Sequence, residues 1–389
     1  MTQLLADLTL PLQPAAVTLR RVLSGVAHAH AQALQQAAHR QDRALAQLLA
    51  ELADTGALRP LLLRPTVSVL ARVWLAVPGQ RSVLGNRLRA ALAVEAALAG
   101  RLSQPVTVPA LPLGLPRLGL RLQSDALEWL RIAPDGLELQ GTSGREALAF
   151  ADLTPTPPFW QAYLPVHPRL PLTQLALADD NPLPIFHDHP KRRGNVVGLG
   201  DAPVDTWLAQ LVFAVDQLAT HLPALLDEMR VFLGHIVPVG TLAEDHQSAS
   251  YPHALGTIYL TLHPRPMMML EALIHEFQHN KLHALLQLGP LLAGDEDLRV
   301  ASPLRSDPRP LRGVLLAAHA FLPVAELYRR LVAADDPMTR EHWFAERFQE
   351  IRRMNRQAWQ TVQTHARWTP LAAGLADELA RLDGELWAP

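Results

Sequence analysis

Apolar residues recur at helical spacing through most of the first hundred residues. In the segment 17–53 they return every three or four positions, with few turn-forming residues between them, which is the pattern of amphipathic helices. Gly56 and the prolines that follow it interrupt the pattern, and a second periodic stretch continues to Gly100, where a glycine can end a helix. Residues 1–100 are therefore predicted to form an N-terminal helical region.

The next hundred residues have a different pattern. Pro and Gly are frequent, and short stretches alternate between apolar and polar positions at 120–123, 127–132 and 137–141. The sequence APDG at 133–136 lies between the last two stretches and favours a hairpin turn. For residues 101–200 we expect a small, mostly antiparallel β region up to about Leu175, followed by a polar loop at 184–195.

Helical periodicity returns in the last part of the chain, residues 201–389, where only two predicted strands interrupt it. Helices are predicted at 203–230, 267–288, 308–334, 339–367 and 370–386, and strands at 231–240 and 248–262. The pattern as a whole predicts an α+β fold that is predominantly α-helical. Its three regions are the N-terminal helices, a central small β region and a C-terminal helical domain.

Composition narrows the function classes. Lys and Arg total 35 against 37 Asp and Glu, a net charge of −2, which argues against a nucleic-acid-binding protein. The chain has no Cys, so a metal ion can be held only by His, Asp or Glu. No run of 18 apolar residues and no signal peptide are apparent, so the sequence predicts no membrane association and a cytoplasmic location.

The strongest chemical signal is an H-E-x-x-H motif at 275–279, inside the predicted helix 267–288. Residues four apart lie one turn apart on the same helix face, so His275 and His279 can bind one metal ion. Glu276 lies beside them and can act on a metal-bound water or orient a ligand.

A catalytic metal site needs a third protein ligand. The longer motif H-E-x-x-H-x-x-G-x-x-H is absent, because positions 282 and 285 are leucines. His283 lies one turn beyond His279 and is not expected to reach the same ion. The third ligand must therefore come from a later segment, and the best candidate segment is 302–330.

Asp307 and the prolines after it predict the start of a helix at 308–334. This helix would carry Arg312, His319 and Glu326 at intervals of seven residues, which places them in one stripe with about 10.5 Å between neighbours. The surrounding segment is apolar, so a stripe of polar residues on this helix indicates a functional site. His319 is the preferred third ligand because it is nearer to Arg312, and Glu326 is the alternative.

Three arginines, Arg305, Arg309 and Arg312, cluster near the start of this helix. Guanidinium groups bind carboxylates in bidentate pairs. The cluster therefore favours an anionic ligand beside the metal.

The segments HEFQHNKL (275–282) and SPLRSDPRPLRGVLLAAHAFLPVAELY (302–328) resemble the HEXXH domain family that is linked to the biosynthesis of ribosomally made, post-translationally modified peptides. The resemblance covers about residues 245–335 and says little about residues 1–200. The sequence departs from the family pattern at Leu304, where Trp is usual, and has His319 where Tyr or His occurs.

The resemblance implies an Fe(II)- and 2-oxoglutarate-dependent oxygenase that β-hydroxylates a precursor peptide, with a fold other than the usual oxygenase jelly roll. It implies metal binding by His275, His279 and His319, and Glu276 in a supporting or catalytic role near O₂. Arg305, Arg309 and Arg312 become candidates for binding 2-oxoglutarate. The strand at 254–262 is a candidate for pairing with the substrate peptide.

Two other functions stay open at this point. In a zinc metallopeptidase, Glu276 would be the general base and Glu326 the third ligand of Zn²⁺. A non-catalytic peptide-binding protein of the same fold would bind the precursor peptide without metal-dependent turnover.

Overall fold

A computed structural model of the chain describes residues 5, 7–12, 15–111, 113–115, 117, 120–122, 127–142, 144–152, 160–162, 174–175, 198–241, 247–294, 298–302 and 305–387. The fold is α+β and mostly helical, as predicted. Residues 1–23, 208–231 and 263–389 form one compact unit (unit 1), and residues 24–207 and 232–262 form another (unit 2). The predicted division at residues 100 and 200 stays a prediction.

The described helices are α1 Val17–Gln41, α2 Arg43–Asp54, α3 Leu58–Leu61, α4 Pro65–Ala76, α5 Arg81–Leu98, α6 Val204–His221, α7 Pro223–Phe232, α8 Pro266–Leu286, α9 Leu311–Ala333, α10 Phe344–His365 and α11 Ala373–Trp387. The predicted helix 203–230 is two helices, α6 and α7. Pro223 explains the break, because a proline disfavours the helical conformation of the residue before it.

The described strands are β1 Val106–Pro109, β2 Leu113–Leu115, β3 Leu120–Leu122, β4 Leu127–Ile132, β5 Gly136–Gly141, β6 Gly144–Ala149, β7 Trp160–Ala162, β8 Gln174–Leu175, β9 His235–Thr241, β10 Ser248–Ala249, β11 Thr257–Leu262, β12 Arg299–Ser302 and β13 Arg305–Pro310. They form sheets of two to four strands. None of these described sheets is a jelly roll.

In unit 2, the core of α2, α4 and α5 packs with the antiparallel sheet β1-β4-β5-β6. The hairpin predicted at 133–136 is confirmed, since Ala133 and Gly136 exchange backbone hydrogen bonds and Ile132 pairs with Leu137. The polar loop predicted at 184–195 lies outside the described residues.

The predicted strand 248–262 is wrong in one respect: it is two strands joined by a turn. Gly256 in that turn has φ +76°, a conformation that L side chains rarely adopt. The second strand, β11, lies between β9, its parallel partner, and β10, its antiparallel partner. β10 pairs with only two residues of β11, Tyr259 and Leu260, and the predicted pairing of 254–262 with a substrate peptide stays a prediction.

In unit 1, α8, α9 and α10 pack side by side, with α9 in contact with both of the others. The predicted helix start at Asp307 is wrong, because residues 305–310 form β13, antiparallel to β12, and α9 begins at Leu311. Two prolines cause this: Pro308 and Pro310 each restrict the preceding residue to extended conformations. The helix thus starts directly after the second of these prolines, with Pro310 as its N-cap residue.

Within the described part of the chain, α9 is the one helix whose length and mean hydropathy, 1.3 over 18 residues, would suit a membrane span. Of that window, 72% is buried inside the protein. A buried core helix passes the same test of length and hydropathy, so α9 is weak evidence for a membrane span.

Candidate metal centre

The H-E-x-x-H motif lies in the middle of α8. Pro266 occupies the first turn, where its missing N–H does no harm, and nearly every later residue of the helix is buried. Such a helix is held by packing on several sides, which fixes the rotation of the face that carries the motif. His275, Glu276 and His279 are brought together: one ligand atom from each lies within 4.8 Å of the others.

The two imidazoles of α8 are adjacent and point toward α9. Their ring centroids are 4.4 Å apart, and the ring of His275 lies edge-on to Phe321 of α9 at 4.7 Å. Burial lowers the pKa of both His275 and His279, and for His279 the charges of His275, His283 and His319, in that order, lower it further. Both rings are therefore neutral near pH 7, the state in which an imidazole binds a metal ion.

His319 lies on α9, two residues before Phe321, and is fully buried. It is close enough to the α8 imidazoles for electrostatic interaction, since His275 contributes to lowering its pKa, after burial and Lys281. His319 is not among the residues whose ligand atoms lie within 4.8 Å of one another, so its role as third ligand stays a prediction. Burial keeps this imidazole in the neutral form.

The hydrogen bonds of these histidines test whether a metal ion fits. Buried ring nitrogens normally have partners, yet Nδ1 of His275, Nδ1 of His279 and both nitrogens of His319 have none. Each of these three neutral imidazoles can offer one nitrogen, the donor type that suits a divalent transition metal such as iron or zinc. The residues present fit such an ion.

Glu326, the alternative third ligand, is engaged elsewhere. Its two carboxylate oxygens accept hydrogen bonds at 2.6–2.7 Å from Arg329 and Arg330. These arginines also contribute to lowering the pKa of Glu326, against the opposing effect of burial. A carboxylate saturated by two guanidinium groups is a poor metal ligand, so the geometry favours His319.

The three arginines predicted to bind an anion do not form a buried pocket in the described structure. Arg309 pairs with Asp307, and both side chains are exposed. Arg312 lies in the first turn of α9 and is exposed. Of Arg305 only the backbone, in β13, is described.

Sequence reasoning missed a buried cluster that links the helices around the site. Glu271, one turn before His275 on α8, accepts a hydrogen bond from the Tyr328 hydroxyl of α9. The same carboxylate binds Arg347 of α10 at 2.6 Å. The cluster ties together the two helices that carry the histidines. The only local signal for this cluster was that Glu271 lies four residues before His275 on the same helix.

No family model matches the chain, and no curated protein matches it. The resemblance to the HEXXH domain family thus stays limited to the short segments that carry it.

Proposed function

We propose that the chain is an Fe(II)- and 2-oxoglutarate-dependent oxygenase that β-hydroxylates a side chain of a ribosomally made precursor peptide. The observation that carries the metal part is the set of unpartnered nitrogens on His275, His279 and His319. The choice of iron, 2-oxoglutarate and a peptide substrate rests on the resemblance of segments 275–282 and 302–328. A cytoplasmic location is part of the same proposal.

The roles of the residues follow from their positions. His275, His279 and His319 hold the metal ion as neutral imidazoles. Bound iron with 2-oxoglutarate and O₂ supplies the oxidation that replaces a C–H bond of the peptide by C–OH, while 2-oxoglutarate becomes succinate and CO₂. Glu276 lies within reach of the same ligand atoms, where it accepts hydrogen bonds from ligands of the metal site. Arg312 is the first candidate for the far carboxylate of 2-oxoglutarate, because it lies two turns before His319 on α9.

A second candidate function has an observation of its own. Glu276, buried beside two histidines of one H-E-x-x-H motif, has the position of the general base of a zinc peptidase. The engagement of Glu326 by two arginines counts against this candidate, whose third ligand it would have been. A non-catalytic peptide-binding protein is the third possibility, and it predicts no metal-dependent turnover at all.

One experiment separates the three functions. The protein is loaded anaerobically with Fe(II), its metal content is measured, and 2-oxoglutarate conversion to succinate is followed after O₂ is admitted. We expect one iron per chain and succinate formation, both lost in His279→Ala. The exposed His365 provides a matched control, and His365→Ala should behave as the unaltered protein. The oxygenase would be refuted if no succinate formed and the protein cleaved peptides in a Zn²⁺-dependent reaction.

A further inference from the structure

An open groove on unit 1 has no part in the candidate metal centre. It has a volume of about 720 Å³ and is lined by α10 together with Arg265, at the start of α8, and Trp387, at the end of α11. The residues that α10 contributes, from Trp343 to Arg353, recur at helical spacing, so they form one face of that helix. The volume is that of a ligand-binding site.

Two of the charged residues that line the groove are already engaged by the fold. Arg347 Nη2 lies 2.6 Å from Glu271 Oε2 of α8, and Arg347 Nη1 lies 2.7 Å from Glu350 Oε2. The side chain of Glu271 is only 5% exposed, so Arg347 is anchored to the protein interior. Glu350 in turn is neutralised by Arg347. These two lining residues therefore give the groove a fixed wall and not a charge for a ligand.

Two other arginines of the groove have charges available for a ligand. Arg265 and Arg353 are exposed, and neither forms an ion pair with any residue that the structure describes. Among the described lining residues, Glu346 is the one carboxylate in the same condition. Two guanidinium groups against one carboxylate leave the groove with an excess of positive charge. Guanidinium groups bind carboxylates in bidentate pairs, so the groove favours an acidic ligand.

Two tryptophans give the groove an aromatic surface. Trp387 is 39% exposed, yet its ring is held by Arg352 and Arg356, whose Cζ atoms lie 4.4 and 5.2 Å from the ring centroid. Trp343 is half-buried beside Phe344. Trp and Arg are the residue types that contribute most of the binding energy at protein interfaces. A tryptophan whose orientation is already fixed loses little entropy when a ligand packs on it.

We propose that this groove binds an acidic peptide segment, whose carboxylates pair with Arg265 and Arg353 and whose apolar side chain packs on Trp387. A groove that leaves Trp387 exposed suits part of a longer chain, because small-molecule sites enclose most of the ligand. A single-stranded nucleic acid also has charges and rings, but the unpaired Glu346 would repel a continuous phosphate backbone. The inference does not rest on the proposed function; if that function holds, the bound segment belongs to its peptide substrate.

The test measures binding of fluorescein-labelled peptides to the metal-free protein by fluorescence anisotropy. The probes are the acidic peptide DEFEDL, its neutral counterpart NQFQNL and its basic counterpart KKFKKL. An exposed ion pair is worth about two- to fivefold in affinity, so two pairs predict that DEFEDL binds roughly 4- to 25-fold more tightly than NQFQNL. KKFKKL should bind most weakly. Equal binding of the three probes, binding of none of them, or tightest binding of KKFKKL overturns the inference.

A charge reversal assigns the binding to the groove. The double variant Arg265→Glu with Arg353→Glu should prefer KKFKKL to DEFEDL, and it should fold normally because both side chains are exposed. The control double variant is Arg101→Glu with Arg367→Glu, which changes the net charge by the same amount at two exposed arginines outside the groove. The control should keep the preference for DEFEDL. The same preference in both double variants would refute the role of the groove.

The aromatic contact has a test of its own. Trp387→Leu should weaken DEFEDL by about threefold or more but leave the peptide DEGEDG, which has no apolar side chain, unchanged; Trp387→Phe should restore most of the affinity. An equal loss for both peptides would contradict the contact with Trp387. An oligothymidylate of about ten nucleotides that binds more tightly than DEFEDL, and is lost in the Arg265/Arg353 double variant, would assign the groove to nucleic acid instead. A protein that binds DEFEDL but forms no succinate fails only the proposed function.

Discussion

Replacing His319 by leucine separates metal binding from folding. The imidazole is fully buried and neither nitrogen has a hydrogen-bond partner in the described structure, so the fold loses no hydrogen bond when the ring is removed. An unsatisfied buried polar group costs about 1–3 kcal/mol. His319→Leu, which is apolar and of similar size, should therefore raise the free energy of unfolding of the metal-free protein by up to about that amount.

His319→Leu should weaken metal binding strongly, although it stabilises the metal-free protein. Binding of structural Zn²⁺ by four ligands is worth about 10–16 kcal/mol, or about 2.5–4 kcal/mol per ligand. Loss of one ligand thus corresponds to a decrease in affinity of roughly 10²- to 10³-fold. Glu326→Gln, in contrast, should leave the metal affinity unchanged, because its carboxylate is held by Arg329 and Arg330.

Two measurements check this prediction. Urea denaturation of the metal-free proteins gives the change in stability, and competition with a chelator gives the metal affinity. A His319→Leu protein that is less stable without metal, or that binds metal as tightly as before, would refute the assignment. Loss of metal in Glu326→Gln alone would favour the zinc-peptidase site.

Three further predictions concern catalysis, the cosubstrate and pH. Glu276→Gln should keep its metal and retain part of its 2-oxoglutarate conversion, measured as succinate; a peptidase would lose nearly all turnover with its general base. Arg312→Ala should keep iron but require a higher 2-oxoglutarate concentration for half-maximal succinate formation, with smaller effects for Arg305→Ala and Arg309→Ala; equal effects of all three would contradict the role of Arg312. Burial raises the pKa of Glu378 from 4.5 to about 7, so the stability that its carboxyl contributes is complete below pH 4.5 and is lost as the pH rises through about 7. Glu378→Gln should remove this loss, and a dependence of urea midpoints on pH 5–8 that stays the same in the variant would disprove it.

Local periodicity predicted the helices well where neighbouring residues decide the structure. Helix α8 was expected at 267–288 and spans Pro266–Leu286, because its apolar residues and its first-turn proline agree. The strand at 305–310 was missed because the prolines at 308 and 310 suit either a helix start or an extended chain. What decides between these is pairing with β12, and the sequence pattern around residue 307 does not indicate that partner.

For the candidate site, too, short-range spacing could be predicted and contacts between distant segments could not. The i, i+4 spacing of His275 and His279 determines their common face, and the seven-residue stripe indicated His319. The buried ion pair of Glu228 with Lys281 of α8 gave no such signal, because the two residues are 53 positions apart in the sequence and the pairing depends on how α7 and α8 pack. Contacts between residues that are far apart in the sequence are therefore what spacing rules miss.

Buried polar groups of unit 1 differ in a way that bears on function. The carboxylate of Glu271 is fully engaged by Tyr328 and Arg347, as expected for a cluster that holds helices together. The nitrogens of His319 and one oxygen of Glu228 are equally buried but have no partners. A divalent cation held by His275, His279 and His319 would give the unpartnered nitrogens of these imidazoles a partner. Apolar replacements there should accordingly favour the metal-free fold and disfavour the metal.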